Sequence, residues 1–367
     1  MGFHCGIVGL PNVGKSTLLN ALTSAGAEAL NFPFCTIEPN VAVASVPDHR
    51  LDAVAATCRL ERRVPTTIRF VDIAGLVRGA SRGEGLGNQF LAQVREADAL
   101  AQVVRCFSDD TVAHVEGRVD PVADVLTFHT ELCLKDLETV DRRLERARKQ
   151  GKGGDPQQRL VVAVCEHLLA HLDAGRPASS FSPSGDREAE LLRELQLLTN
   201  KPMFYVANIA EAAIGNLDDD PYVQPLRRHA QAQDHRVVAI CASLEAQIAE
   251  LEPEERPEFF ESAGLAEPGL NQVIRVGYEL LGLITFLTKN ERECRAWTLR
   301  NGATAWEAAG VIHTDFQRGF IKAEVTWWED LVRLGSDAKC REAGAVAIEG
   351  RDYAVRDGDV ILFRFNA

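Results

Sequence analysis

Close to the amino terminus stands Gly9-Leu-Pro-Asn-Val-Gly14-Lys15-Ser16, two glycines bracketing four residues and followed by a cation and a hydroxyl. That order suits a polyphosphate. Glycines let the backbone turn so that its N–H groups face an anion, and a helix starting there adds the positive end of its dipole. Lys15 brings a point charge to the β- and γ-phosphates and Ser16 offers a hydroxyl to Mg²⁺, while the amides of Asn12, Val13, Gly14 and Thr17 complete the cradle. A second cluster, Asp72-Ile-Ala-Gly75, supplies a carboxylate for a magnesium-bound water and a glycine N–H that can approach a terminal phosphate. Between the two lies Thr36, ending the uncharged stretch Asn31-Phe-Pro-Phe-Cys-Thr36, as a hydroxyl that completes the metal shell when a triphosphate is bound.

A third position concerns the base. The apolar run Met203–Ala207 is followed by Asn208-Ile209-Ala210-Glu211, whereas a guanine-reading site uses Asn-Lys-x-Asp, its Asp accepting two hydrogen bonds from the base. Here the lysine is missing and Glu replaces Asp. An Asn amide can pair both ways with adenine N7 and N6, so these residues point to ATP, with GTP the weaker ligand.

Such residues need a sheet that presents them along one edge. His4–Val8, Val41–Val46, Ile68–Ile73 and Leu100–Arg105 read as strands, several continuously apolar, the pattern of a parallel sheet covered on both faces. From about 122 to 198 strand patterning vanishes. Cys133, Leu137, Val140, Leu144 and Ala147 form a coiled-coil seam, Gly151-Lys152-Gly153-Gly154 breaks it, and Val161, Val164, Leu168 and Leu172 carry a second helix back. Strands resume at Met203–Ala207 and Arg236–Cys241, so this helical hairpin interrupts the sheet domain. Beyond Leu280 come Gly282–Leu287, mixed segments, and a closing strand Val360–Phe365 behind an Asp357-Gly358 turn. The expected fold is α/β: a P-loop, mostly parallel sheet with an inserted helical coiled-coil hairpin and a small β-rich carboxy-terminal domain. The divisions read as 1–121, 122–200, 201–280 and 281–367.

The 367 residues exceed one ordinary domain, and 46% hydrophobic with 25% charged residues excludes wholesale disorder. A net charge of −13 excludes nucleic-acid binding through the bulk field, so such contact needs a local basic patch. One exists: Arg142, Arg143, Arg146, Arg148, Lys149 and Lys152 crowd the hairpin turn against Glu145 alone. The nine cysteines include no C-x-x-C pair, which suits free thiols in a reducing cytosol. No leader and no run of about 18 apolar residues is visible, so the expected place is the cytoplasm, without membrane contact.

Three long motifs resemble the YchF (Obg-like ATPase) family. They are Gly9-Leu-Pro-Asn-Val-Gly-Lys-Ser-Thr17, Asn31-Phe-Pro-Phe-Cys-Thr-Ile-Glu-Pro-Asn40, and Asp72-Ile-Ala-Gly-Leu-Val-Arg-Gly-Ala-Ser-Arg-Gly-Glu-Gly-Leu-Gly-Asn88. The tail segments Ala305–Phe316 and Gly358–Asn366 resemble that family's ubiquitin-like TGS domain. The resemblance covers essentially the whole chain. It implies an ATP-preferring, Mg²⁺-using hydrolase with a coiled-coil arm, acting at the ribosome. Asn208 to Glu211 matches the family's Asn-x-x-Glu variant, and Cys241-Ala-Ser243 resembles the loop that closes over the base. Leu76 stands where many translation-class relatives carry a water-orienting Gln, and His114 resembles the loop histidine given that role in the family. The basic tip at 142–152 is then the contact to rRNA phosphates of the large subunit. Two rival readings remain: a P-loop kinase with a small acceptor, and a nucleotide-gated scaffold with negligible turnover.

Overall fold

Strands form here where apolar, β-branched runs are bounded by turn residues, and helices where a capping side chain precedes an apolar stripe. The computed structural model describes residues 3–27, 40–73, 86–109, 111–115, 117–151, 155–252 and 254–366, which divide into two compact units. In chain order the elements begin β1 (His4–Val8), α1 (Lys15–Ala27), β2 (Val41–Ser45), α2 (His49–Thr57), β3 (Arg62–Val64), β4 (Thr67–Asp72), α3 (Leu86–Glu96) and β5 (Ala99–Cys106). Then come α4 (Pro121–Gln150), α5 (Pro156–Asp173), α6 (Asp186–Glu194), β6 (Met203–Ile209), α7 (Val223–Gln231), β7 (Val237–Ile240), α8 (Ala242–Ala249), α9 (Arg256–Ser262) and α10 (Gly269–Leu280). The remainder is β8 (Leu283–Lys289), β9 (Glu293–Arg300), α11 (Ala305–Ile312), α12 (Thr314–Arg318), β10 (Phe320–Trp327), α13 (Trp328–Leu334), α14 (Asp337–Glu342), β11 (Val346–Glu349) and β12 (Asp359–Phe365).

The first unit holds β1, β5, β6, β7 and most of β4, strands of a six-stranded sheet in the order β2-β4-β1-β5-β6-β7. Parallel pairing joins β4 to β1, β1 to β5, β5 to β6 and β6 to β7. Every residue of β5 and β6 is buried, as a sheet covered on both faces requires. Phe90 and Val94 from α3, Phe128 and Leu132 from α4, and Leu226 from α7 pack with Val104 and Tyr205 of the sheet.

The helical insertion starts well defined. Asp120 accepts the Ala123 N–H at 3.0 Å as N-cap, and Pro121 occupies the first turn, where its missing N–H costs nothing. Val140, Leu144 and Ala147 of α4 pack against Val161, Val164, Cys165, Leu168 and Leu172 of α5. Leu137 lies at the margin of that cluster, whereas Cys133 is buried outside it. Asp136 ties α4 to the following chain: its carboxylate accepts the Leu198 and Thr199 N–H groups at 2.8 Å each and the Thr199 hydroxyl at 2.7 Å.

The second unit holds residues 25–27, 43–68 and 274–366 among those described. Its mixed sheet runs β11-β10-β12-β8-β9-β3, with β12 parallel to β8 and β3 parallel to β9, while β10–β11, β10–β12 and β8–β9 are antiparallel. Leu51, Val54 and Ala55 of α2 pack with Leu287, Cys294, Ala296, Leu331 and Val360. This corrects two of the expected divisions. Residues 43–68 fall with the tail and not with 1–121, and the boundary falls at Val273 and Ile274, inside α10, and not after 280. The physical reason is β3, a three-residue strand with two exposed arginines that shows no periodicity of its own and is defined only by pairing with β9. No described helix is long and apolar enough to cross a membrane.

Candidate functional site

The loop after β1 owes its shape to its glycines. Gly9 has φ +147, and a Cβ there would lie 2.5 Å from the Val103 carbonyl oxygen on β5. Gly14 has φ +101, and its Cβ would lie 2.3 Å from Asn208 Nδ2. Neither position admits a side chain. Between them Asn12 takes the left-handed region (φ 60), and its side chain donates to the Ala113 carbonyl at 3.2 Å. The chain then enters α1 at Lys15, which aims the first N–H groups of that helix toward the loop.

Lys15 is buried, and its Nζ donates to the carbonyls of Gly9 (3.2 Å) and Leu10 (2.8 Å). Burial pushes its pKa down while the charge of Asp72 resists. Asp72 closes β4 opposite Ile7 of β1, which brings it beside the loop. The Ser16 hydroxyl donates to Asp72 Oδ2 at 3.3 Å. Burial raises the Asp72 pKa, against the opposing effects of Lys15 and the Ser16 hydrogen bond. Asp72 Oδ1 is buried without a hydrogen-bond partner among the described residues. A hydroxyl and a half-satisfied carboxylate are hard oxygen donors of the kind magnesium takes, so the residues fit that ion. Thr36 and Gly75, expected to complete the shell and the phosphate contacts, lie outside the described residues, as does Leu76.

A cleft of about 700 Å³ opens over this loop, lined by residues 12 and 14–17, 107–109 and 112, 208–211, and 242–243. Ile209, Glu211 and Ser243 line it, whereas Val13 is buried and is not among the lining residues. Asn208 does something the sequence does not disclose. Its Nδ2 donates to the Val13 carbonyl at 2.9 Å and its Oδ1 accepts the Ala242 N–H at 3.1 Å, bracing the phosphate loop against the start of α8. One N–H and one lone pair of the amide remain for a base.

His114 is not among the lining residues. Its side chain is buried, with Nε2 3.0 Å from the equally buried Asp124 Oδ2 in the first turn of α4. Phe107, Ser108, Asp109 and Val112, which do line the cleft, carry no motif. The one signal pointing to them is Arg105, a charged residue closing an apolar strand. At the far end of α4, Arg142, Arg146, Arg148 and Lys149 are exposed, Arg143 is half-buried, and Arg148 pairs with Glu166 at 2.7 Å; Lys152 is outside the described residues.

A mostly parallel sheet whose first strand runs through a glycine-bracketed loop into a helix, with a neighbouring strand's Asp bonded to the serine that follows the loop lysine, defines a P-loop nucleotide-binding protein. Family models agree: one described as 50S ribosome-binding GTPase matches residues 4–134, and YchF-GTPase_C, described as a protein of unknown function, matches 283–366. The chain is 51% identical over 366 residues to the Haemophilus influenzae protein named "Ribosome-binding ATPase YchF", covering all of both chains. It is 47% identical to the Bacillus subtilis protein of the same name, again covering all of both. The solved Schizosaccharomyces pombe YchF GTPase superposes with a TM-score of 0.88 at 35% identity, over 99% of this chain and 98% of that one. The chain belongs to the YchF family.

Proposed function

We propose that the protein is a magnesium-dependent, ATP-preferring hydrolase that releases ADP and phosphate and acts in the cytoplasm as a nucleotide-dependent regulator on the large ribosomal subunit. The carrying observation is Asp72, bonded through one carboxylate oxygen to Ser16 and holding the other unpartnered beside Lys15. Ser16 and Thr36 would hold the ion directly and Asp72 through water; the ion would neutralise charge on the terminal phosphates. Lys15 would exchange its two loop carbonyls for phosphate oxygens. The relatives' names differ between ATPase and GTPase. Asn208 and Glu211, in place of Asn-Lys-x-Asp, favour adenine. The β-rich tail is read as a TGS domain and the α4–α5 pair as a coiled-coil arm whose basic tip meets rRNA.

Labelled ATP tests the reading. The parent should yield free phosphate, and Lys15→Ala should lose at least about tenfold in affinity or turnover. A phosphorylated acceptor would mean a kinase, and undiminished hydrolysis in the variant would remove the phosphate-site assignment. Parallel titrations should favour ATP; a tenfold GTP preference, about 1.4 kcal/mol, refutes the base assignment.

A second reading, a scaffold that binds ATP with negligible turnover, is favoured by the position of His114 on Asp124, away from the cleft. On the first reading His114 leaves Asp124 to position water, so His114→Ala should lower turnover with ATP affinity near the parent value. Full turnover in that variant makes the histidine structural.

A further inference from the structure

Arg105 lies near the end of β5 and is among the largest side chains fully enclosed in the protein. Its guanidinium donates from Nε to the Phe107 carbonyl (3.1 Å), from Nη1 to that of Val112 (3.0 Å) and from Nη2 to that of Asp109 (3.0 Å). The same group stands 4.7 Å from the centre of the Phe107 ring. No carboxylate among the described residues forms an ion pair with it.

Enclosing a guanidinium is costly, and an apolar side chain would fill the space at the end of a buried strand. What only arginine supplies there is a rigid fork of donors. The three carbonyls it holds belong to the segment after β5, whose described residues between Phe107 and Asp120 lie in no strand or helix. That segment is one wall of the cleft, through Phe107, Ser108, Asp109 and Val112. Its place within the cleft follows from register: Arg105 pairs with Asn208 and Cys106 with Ile209, so the segment leaves the sheet beside Asn208–Glu211. The phosphate loop occupies the other part of the cleft.

We propose that Arg105 is a positioning residue for the nucleoside end of the nucleotide, fixing through three carbonyls the wall against which base and sugar lie. This rests on reading the cleft as the ATP site. The guanidinium touches no ligand itself, so its effect is on affinity and base discrimination and not on the bond-breaking step.

Arg105→Lys keeps the cation and most of the volume but loses the fork; Arg105→Met keeps volume alone. Both are compared with the parent for ATP affinity, for competition by inorganic tripolyphosphate, for turnover at saturating ATP, and for thermal midpoint. Expected is about tenfold weaker ATP binding in Arg105→Met and a smaller loss in Arg105→Lys, with tripolyphosphate competition and saturated turnover within about twofold of the parent. ATP affinity at the parent level in a folded lysine variant overturns the proposal, because the fork would then be dispensable. Equal weakening of ATP and tripolyphosphate also overturns it, since the effect would be one of charge or global fold. If the methionine variant does not fold, the lysine variant decides alone. Lys15→Ala separates this from failure of the site: it should weaken both ligands, and if it weakens neither, the cleft is not the ATP site.

Discussion

At the scale of single residues, Asn208 has the least obvious consequence. Its amide closes two hydrogen bonds between segments that otherwise share none through a side chain: the Val13 carbonyl on one side and the Ala242 N–H on the other. Truncation to alanine leaves both groups buried and unpaired, at roughly 1–3 kcal/mol each. Asn208→Ala should therefore lower the thermal midpoint and weaken ATP and tripolyphosphate together, because the phosphate loop loses its brace. An unchanged midpoint with a loss confined to ATP would mean that the side chain only reads the base. Much of the loop's geometry is legible residue by residue, since Gly9 and Gly14 have types dictated by the turn they make, and Lys15, Ser16 and Asp72 stand at the spacing that brings them together. What Gly14 must avoid is not legible, because the crowding atom belongs to Asn208, on a distant strand. Nor is the direction of His114, which depends on a buried carboxylate one helical turn into α4.

Among the elements, α4, β6 and α7 meet around a cluster of imidazoles. His235 Nδ1 lies 3.1 Å from the Tyr205 hydroxyl, and the rings of His129 and His229 each stand 6.4 Å from that of Tyr205. Burial lowers the pKa of all three histidines, that of His129 to about 4, with mutual repulsion adding at His129 and His235 and Asp234 opposing at His235. A histidine depressed in the folded state binds its proton more readily when unfolded. The histidines' contribution to stability is therefore full above about pH 6.5 and is lost as pH falls toward 4, roughly 3 kcal/mol for His129 alone. Urea midpoints measured across that window should fall for the parent and fall less for His129→Phe; parallel curves would acquit the cluster. The elements that carry it were readable where they are continuously apolar, as β5 and β6 are. The tail strands β9 to β11 were not, because their faces mix exposed charge with buried apolar residues and no long period survives.

For the molecule as a whole, the contrast is between a net charge of −13 and the cations gathered at one end of α4. The exposed Arg148–Glu166 pair restrains that end little, since exposed ion pairs contribute about 0–1 kcal/mol. The proposed ribosome contact is then electrostatic, and affinity should fall steeply with salt as counterions return to the phosphates. Reversing Arg142, Arg146 and Lys149 should flatten that slope and weaken co-sedimentation with ribosomal particles, while ATP hydrolysis by the free protein stays at the parent rate. Superimposable salt curves for parent and variant would leave the tip a solvated helix end.

The pairing of β3 with β9 also bears on how the chain is made. Arg62 leaves the ribosome about 230 residues ahead of its partner Glu293, so at ~5–20 residues per second the strand waits on the order of 10–50 s. Throughout that interval Leu51, Val54 and Ala55 of α2 have no apolar surface of the tail to cover them. A nascent chain halted before β9 therefore displays a sticky helix and an unmatched strand, the kind of segment a holding chaperone recognises. A fragment begun at residue 281 fails in the complementary way, exposing the edge of β9 that β3 would have closed.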